Sequence, residues 1–473
     1  MFQSQILALL FSAGLFRPGN YCQTPAKVQP PKDLMIATTP NNSKAQALLA
    51  AWKLAWPLIV ANASLPLMAA VDTAVAGRLD GPQPLAAIAL GGAWVTLVFW
   101  AFGFLRIAMG GLAAQAFGRG DRHDSWNLLA QGLVIAVAIG AALSVAGWWL
   151  IDPVLARLAL EPGLGQQTLA YTGVRWGGAI LALAYYALHG WLMGQGNTRA
   201  LAVVLVATNL INMALSAGLG LWAGQGVAGI ALATVLSQLA GVAMAVWLVH
   251  RQLGSLWMGW PNWAGARQLF SANALVFVRA LALLAVFTWF NTQSALLSAM
   301  DAAVNAILLT LLAVAAYSLD GFADAAEIQT GHAIGRRDPS ALRLALWAGA
   351  VCSLTSAALA SLLLWLGAPW WVGLLSNQAA ISDQALAVFW WLAPLPLVAW
   401  ISYFFDGVFI GANRFKPMAW IMLASTGLVY FPLWYATQGA GLAGLWIAFW
   451  GWQLARAGAM ACFFKWRLWP SLG

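Results

Sequence analysis

Twelve stretches of the chain are almost continuously apolar, and short polar turns separate them. They cover roughly 53–78, 84–113, 126–150, 168–193, 200–222, 226–250, 270–298, 302–330, 341–367, 384–411, 417–437 and 440–465. As helices rising ~1.5 Å per residue, all are long enough to cross a bilayer core of ~30 Å. The first shows the pattern most fully. Between Lys53 and Arg78 lie 24 residues with two prolines, Pro57 and Pro66, and one ionisable group, Asp72. The prolines remove helix hydrogen bonds and mark hinges. A carboxylate in hydrocarbon costs ~2.5–3.5 kcal/mol on insertion scales, so it faces a protein interior or a wet cavity. A bent spanning helix with one buried acid suits a proton- or cation-driven transporter; the plainer reading is a carboxylate held by a structural hydrogen bond.

The polar connections alternate in charge. Starting from Lys44 and Lys53, every second one is basic: Arg119 and Arg122; Arg199; Arg251 and Arg267; Arg336, Arg337 and Arg343; Arg414 and Lys416; Lys465 and Arg467. The intervening ones hold only Arg78 and Arg157 beside Asp80, Asp152, Glu161, Asp301 and Asp383. By the positive-inside rule both termini are cytoplasmic and the number of spans is even, which twelve satisfies. Residues 1–43 stand apart, with a short apolar run followed by a proline-rich polar stretch. They read as a disordered tail, or as sequence upstream of the true start, with Met35 a candidate initiator.

The chain also repeats itself. AFGRGD at 116–121 returns as AIGRRD at 333–338, and GWLMG at 190–194 returns as GVFIG at 407–411, both 217 residues later. The expected fold is therefore all-α and polytopic: twelve transmembrane helices in two six-helix lobes, related by a pseudo-two-fold axis along the membrane normal. The expected divisions are a first lobe at 44–250, a cytoplasmic linker at 251–269 and a second lobe at 270–467.

Composition agrees with a membrane protein. Hydrophobic residues make up 62% and charged residues 8%, against about 25% charged in soluble domains. The net charge of +9 then reflects basic cytoplasmic loops rather than nucleic-acid binding. Cys22, Cys352 and Cys462 are too far apart to suggest a disulfide framework or metal site. Tryptophans near segment ends, such as Trp148, Trp149, Trp370, Trp371, Trp466 and Trp469, read as interface anchors. There is no phosphate loop, no H-E-x-x-H and no G-x-S-x-G, so transport must draw on an ion gradient, and no cofactor is expected.

Registering the halves shows where chemistry differs. Gly103, Ile107 and Gly110 of the second helix correspond to Asp320, Asp324 and Glu327 of the eighth, which share one helix face. That stripe either binds protons, a monovalent cation or a cationic substrate, or it pairs with the buried arginines Arg106, Arg279 and Arg456. His189 corresponds to Asp406, each beside the first glycine of a G-x-x-x-G, and reads as a cavity residue or a hydrogen-bonded core histidine. In the fifth helix Asn209, Asn212 and Ser216 are polar. Ser216 lies ~25 Å up from Arg199, at a depth like that of Asp72, so the two can line one cavity of the first lobe.

The runs LAWPLIVANASLPLMAAVDTAVAGRLD, FLRIAMGGLAAQAFG, AYSLDGFADAAEIQTGHAIG and FFDGVFIGANR resemble the DinF-like branch of the multidrug and toxic compound extrusion (MATE) family. The resemblance runs from about Trp52 to Lys465. It implies two lobes forming a V-shaped cavity and export of lipophilic, often cationic small molecules in exchange for protons or sodium. It further implies that Asp72 binds the coupling proton, that Pro57 bends the first helix and that Asn212 belongs to the polar network of the fifth. Asp320, Glu327 and Asp406 match acidic positions of the branch; Asp324 does not. One departure is Ser216, where close relatives carry a second acid, so a two-carboxylate scheme is in doubt here. The reading is a proton-coupled multidrug exporter, a monomer of the bacterial inner membrane. The alternatives are a flippase for a lipid-linked precursor or, in a different class, an intramembrane enzyme using Asp320, Asp324 and Glu327 as acid–base groups.

Overall fold

The computed structural model describes residues 43–157, 161–254, 259–263 and 266–472. The tail expectation thus falls outside the described residues, apart from Ser43. That residue caps the first helix: its hydroxyl accepts from the Gln46 amide, and the Gln46 side chain accepts from the Ser43 amide. This reciprocal box satisfies two of the four N–H groups a helix start leaves open.

Every long element is helical, and the spans follow the apolar segments closely. The first lobe comprises α1 (Lys44–Ala76), α2 (Gln83–Arg119, interrupted at 102–103), α3 (Arg122–Arg157), α4 (Pro162–Gly177 and Ala179–Gly194), α5 (Thr198–Trp222) and α6 (Gly226–Leu253). The second comprises α7 (Ala266–Leu297), α8 (Ala299–Arg336), α9 (Pro339–Leu366), α10 (Ala379–Trp391 and Pro396–Gly411), α11 (Phe415–Ala440) and α12 (Leu442–Phe463, continued by a π turn at Phe464–Leu468). Among the described residues nine of these are long and apolar enough to cross a membrane unaided, and the two pieces of α10, bent by 62°, make a tenth span. The remaining two are α4, broken at a glycine pair, and α12, which carries Gln453 and Arg456 within its length.

The hydrophobic cores show how the lobes meet. One large cluster joins both lobes at the end where the basic turns lie, including Leu58 of α1, Met109 of α2, Leu183 of α4, Ile328 of α8 and Phe409 of α10. Toward the other end the core divides. A second cluster, with Phe290, Leu308, Tyr430 and Trp446, lies wholly in the second lobe, and separate small ones, with Ala87, Tyr171 and Ile230, lie in the first. A shared core at one end and divided cores at the other make a V that opens away from the basic turns.

The internal repeat is reproduced atom by atom. Gly190 packs on the Arg106 carbonyl and Gly407 on the Ala323 carbonyl; Gly194 packs on the Gly110 carbonyl and Gly411 on that of Glu327. Each pair is related by 217 positions. A side chain at any of the four would overlap backbone, so the G-x-x-x-G motifs set the spacing of α2 against α4 and of α8 against α10. Gly118 and its equivalent Gly335 pack on each other, with a Cβ on either reaching within 3.0 Å of the other's Cα. The repeated AFGRGD and AIGRRD segments thus sit on the pseudo-two-fold axis.

Candidate functional site

Helix α1 leans on both lobes, and the division falls near Pro57. Below it, Trp52 packs on Phe322 with ring centroids 5.7 Å apart, Cys352 Sγ reaches the Leu48 carbonyl at 3.9 Å, and Gly321 faces Ile59 and the Ala55 carbonyl. These are contacts with α8 and α9. Above it, α1 turns to α5: Asn209 Nδ2 donates to Ser64 Oγ at 2.6 Å, and Ser216 Oγ donates to Asp72 Oδ1 at 2.6 Å. Pro57 and Pro66 both lie inside this one helix, each lacking the N–H that would bond four residues back. Pro57 therefore stands between two sets of contacts that belong to different lobes, and Pro66 lies among the contacts with α5.

Asp72 is half-buried and Ser216 fully buried. Asn212, fully buried, donates from Nδ2 to Thr234 Oγ1 of α6 at 3.1 Å, while its Oδ1 has no hydrogen-bond partner among the described residues. A π turn, Gly218–Trp222, begins two residues after Ser216, an irregularity frequent at functional positions. Asp72, Asn209 and Ser216 thus lie along the α1–α5 seam, while Asn212 is turned to α6. His189 stands apart from the seam, on α4 with its ring 6.4 Å from that of Tyr185 and within the field of Arg106.

The acids of the second lobe divide into two groups rather than one. Asp406 of α10 is closed by two guanidiniums: Arg279 of α7 pairs with its Oδ2, and Arg456 of α12 approaches the same oxygen at 3.3 Å. Arg456 also donates to Gln453 Oε1 at 3.1 Å and lies over the Trp452 ring at 4.8 Å. One carboxylate between two arginines has a net charge of +1, so this group does not attract a cation. The α8 stripe faces the other way, toward the first lobe. Arg106 of α2 pairs with Asp324 at 3.6 Å and acts electrostatically on Asp320 and Glu327 as well. Glu327, only 2% exposed, packs where Gly110 leaves room for its Oε1, and that oxygen has no hydrogen-bond partner among the described residues. Asp320 stands between the groups, in the field of Arg106 on one side and of Arg279 on the other. Of the arginines read from the sequence as partners of the stripe, Arg106 pairs with Asp324, whereas Arg279 and Arg456 pair with Asp406 instead; the stripe borders the junction of the lobes.

Two features escaped sequence reasoning. Arg175 of α4 lies near enough to Asp72 to act on its charge and stacks on the Phe99 ring at 5.6 Å. The rule that singled out Asp72, an ionisable group inside an apolar run, applies equally to Arg175. The second is a symmetric pair across the lobes. Gln115 Nε2 of α2 donates to the Gly411 carbonyl at 2.8 Å, and His332 Nε2 of α8 meets the Gly194 carbonyl at 2.8 Å. Gln115 and His332 are 217 apart, as are Gly194 and Gly411. Registering the repeat residue by residue identifies them as equivalents, though not as partners across the axis.

Comparison with known proteins agrees with this architecture. Residues 57–217 and 269–436 match the family model described as MatE. The chain is 33% identical over 430 residues to DNA damage-inducible protein F of Escherichia coli K12, covering 85% of this chain and 92% of that one. It is 31% identical over 339 residues to a probable multidrug resistance protein NorM of Bradyrhizobium diazoefficiens, covering 68% and 71%. A solved MOP superfamily transporter from Pyrococcus furiosus shares the fold with a TM-score of 0.82 at 17% identity, over 94% of this chain and 99% of that one. Twelve helices in two parallel lobes, the repeat that relates them and these matches make the chain a member of the MatE family, the multidrug and toxic compound extrusion transporters.

Proposed function

We propose that the protein exports lipophilic, mainly cationic compounds across the inner membrane in exchange for protons, and that Asp72 is the coupling group. The basic turns are cytoplasmic by the positive-inside rule, so the V opens to the outside and the closed end faces the cell. The observation that carries the reading is the 2.6 Å contact between Ser216 and Asp72. A carboxylate held by one hydroxyl can take a proton and keep the contact, by donating to the hydroxyl instead of accepting from it. Protonation removes the cost of burying the charge, so α1 is free to bend at Pro57 or Pro66 and redistribute its contacts between α5 and α8.

Antiport requires that proton and substrate disfavour each other through one two-state element. An anionic Asp72 attracts a cationic amphiphile; a neutral one does not. The serine at position 216 makes this a one-carboxylate scheme. Opening to the cytoplasm then requires the lobes to release the Gln115–Gly411 and His332–Gly194 contacts and the Arg106–Asp324 pair. Purified protein in liposomes, loaded with a fluorescent lipophilic cation and given a proton or a sodium gradient separately, tests the coupling. Export driven by the proton gradient alone is the expected result; export driven by sodium alone overturns the proton reading.

A further inference from the structure

A cavity of about 460 Å³ opens at the basic end of the second lobe, between the start of α7, the α10–α11 turn and the end of α12. That volume is typical of small-ligand sites, roughly 300–1,000 Å³. Among its described lining residues are three cations, Arg414, Lys416 and Arg467, and no carboxylate. All three are exposed, and among the described residues none ion-pairs with an acid. The rest of the wall is largely apolar, with Leu275, Phe463 and Leu468. A cationic rim over an apolar wall at the membrane boundary fits an amphiphile with an anionic head.

The repeat supplies a second argument. In the first lobe the position equivalent to Arg414 is Asn197, which caps α5 by accepting from the Ala200 amide at 3.3 Å. Arg414 occupies the same cap position before α11 and makes no side-chain cap bond, since a guanidinium has no acceptor. The amide that Asn197 serves has no counterpart in α11, where Pro417 stands at the matching position without an N–H, so the second lobe has a guanidinium at the cavity rim where the first has a capping amide. The nearest first-lobe counterpart, a cavity lined by Arg122 and Arg251, also contains Asp121, so its charge is mixed.

We propose that this cavity binds one anionic phospholipid, its phosphate held by Arg414, Lys416 and Arg467 and an acyl chain lying along Leu275 and Phe463. The bound lipid ties α7, α10, α11 and α12 together at the closed end of the V. Phosphatidylglycerol, phosphatidylcholine and inorganic phosphate are titrated against the purified protein in neutral detergent, with native mass spectrometry and thermal unfolding as readouts. Near an anionic headgroup each lysine or arginine is worth about fivefold in affinity, so removing all three weakens binding by roughly a hundredfold. The expected result is saturable binding of one phosphatidylglycerol with a raised unfolding temperature. R414Q/K416Q/R467Q weakens binding about a hundredfold and removes the shift, and R119Q/R199Q/R251Q, which removes three exposed cations of the first lobe at the same end, leaves both intact. Arg467→Glu alone, read by mass spectrometry on the folded fraction, serves if the triple variant is poorly produced; a loss of bound lipid greater than fivefold is expected. Equal loss in both triple variants means diffuse surface attraction and overturns the proposal. Retained binding in R414Q/K416Q/R467Q, or an equal unfolding shift from inorganic phosphate, overturns it too.

Discussion

Replacing Asp406 by asparagine should be more damaging than replacing either of its arginines. Asp406 is 9% exposed, Arg456 4%, and the carboxylate is shared with Arg279. The trio has a net charge of +1; without the acid it becomes +2, with Arg456 buried and Arg279 largely so. Removing one partner of a buried pair costs about 3–5 kcal/mol, mostly from the charge left uncompensated. Asp320, in whose field Arg279 lies, offsets part of that and holds the cost near the lower end. Arg456→Met instead leaves a one-to-one Asp406–Arg279 pair and keeps an apolar side chain over Trp452, so it loses only about 1.5–2 kcal/mol, the lower end for one charge-assisted hydrogen bond, as its 3.3 Å length suggests. At about 2–4 °C per kcal/mol for a unit the size of one lobe, Asp406→Asn lowers the apparent melting temperature by roughly 6–12 °C and Arg456→Met by about one-half to two-thirds of that. Fluorescence-detected size exclusion after heating a fusion protein measures both. Equal losses, or a stable Asp406→Asn protein, would refute the argument that Asp406 acts as counter-ion to two buried cations.

Other substitutions test other parts of the account. Among the described residues the two non-glycine positions with positive φ are Arg337 (56°) and Asn413 (55°), and their first-lobe equivalents are Gly120 (73°) and Gly196 (77°). Arg337→Gly should stabilise the protein by about 0.5–1 kcal/mol in the same heating assay, and Asn413→Gly by less, because asparagine tolerates that conformation. The double substitution of Gln115 and His332 by alanine removes two cross-lobe hydrogen bonds worth about 1–3 kcal/mol together, shifting the lobes toward opening at the basic end by roughly 5–150-fold. Increased labelling from the cytoplasmic side of a cysteine in place of the buried Ala114, whose Cβ already packs on Gly331 across the seam, in an otherwise cysteine-free protein, reports that shift. Asp338 caps α9, accepting from the amides of Ala341 and Ser340, and these bonds hold its carboxyl below the ordinary 3.8. A depressed acid stabilises the fold above its unfolded value, so this small contribution is present at neutral pH and disappears as pH falls below about 3.8. Asp338→Asn should therefore lower the melting temperature slightly at pH 7, by a margin that shrinks as the pH is taken progressively below about 3.8.

The fold was largely legible because it rests on long-range regularities of the chain. Apolar run length, alternating loop charge and the 217-residue repeat require no knowledge of contacts, and the four packing glycines are the repeat's own motif. Depth along a helix was legible too, which is why Asp72 and Ser216 are found together. What sequence could not show was direction across a seam. The spacing of Asp320, Asp324 and Glu327 put them on one face, but whether that face met α7 or α2 depends on how two lobes pack, and Arg106 decides it. Tryptophan was ambiguous for a similar reason. Trp148 and Trp466 are exposed as interface anchors would be, at 77% and 70%, whereas Trp191 and Trp446 are fully buried, their ring nitrogens donating to the Ser125 carbonyl and to Asn305 Oδ1. Both kinds lie on apolar helices, and only packing distinguishes them.

Proton release on substrate binding tests the role of Asp72 most directly. Purified protein in weakly buffered detergent solution, with a pH indicator, receives a saturating lipophilic cation, and the protons released per transporter are counted. If substrate and proton compete at one carboxylate, the wild-type protein releases up to one proton, in an amount that varies with starting pH, while Asp72→Asn binds substrate and releases none. Undiminished release from the Asp72→Asn protein would contradict the account and place the coupling group elsewhere, with Glu327 and its neighbours the first to examine.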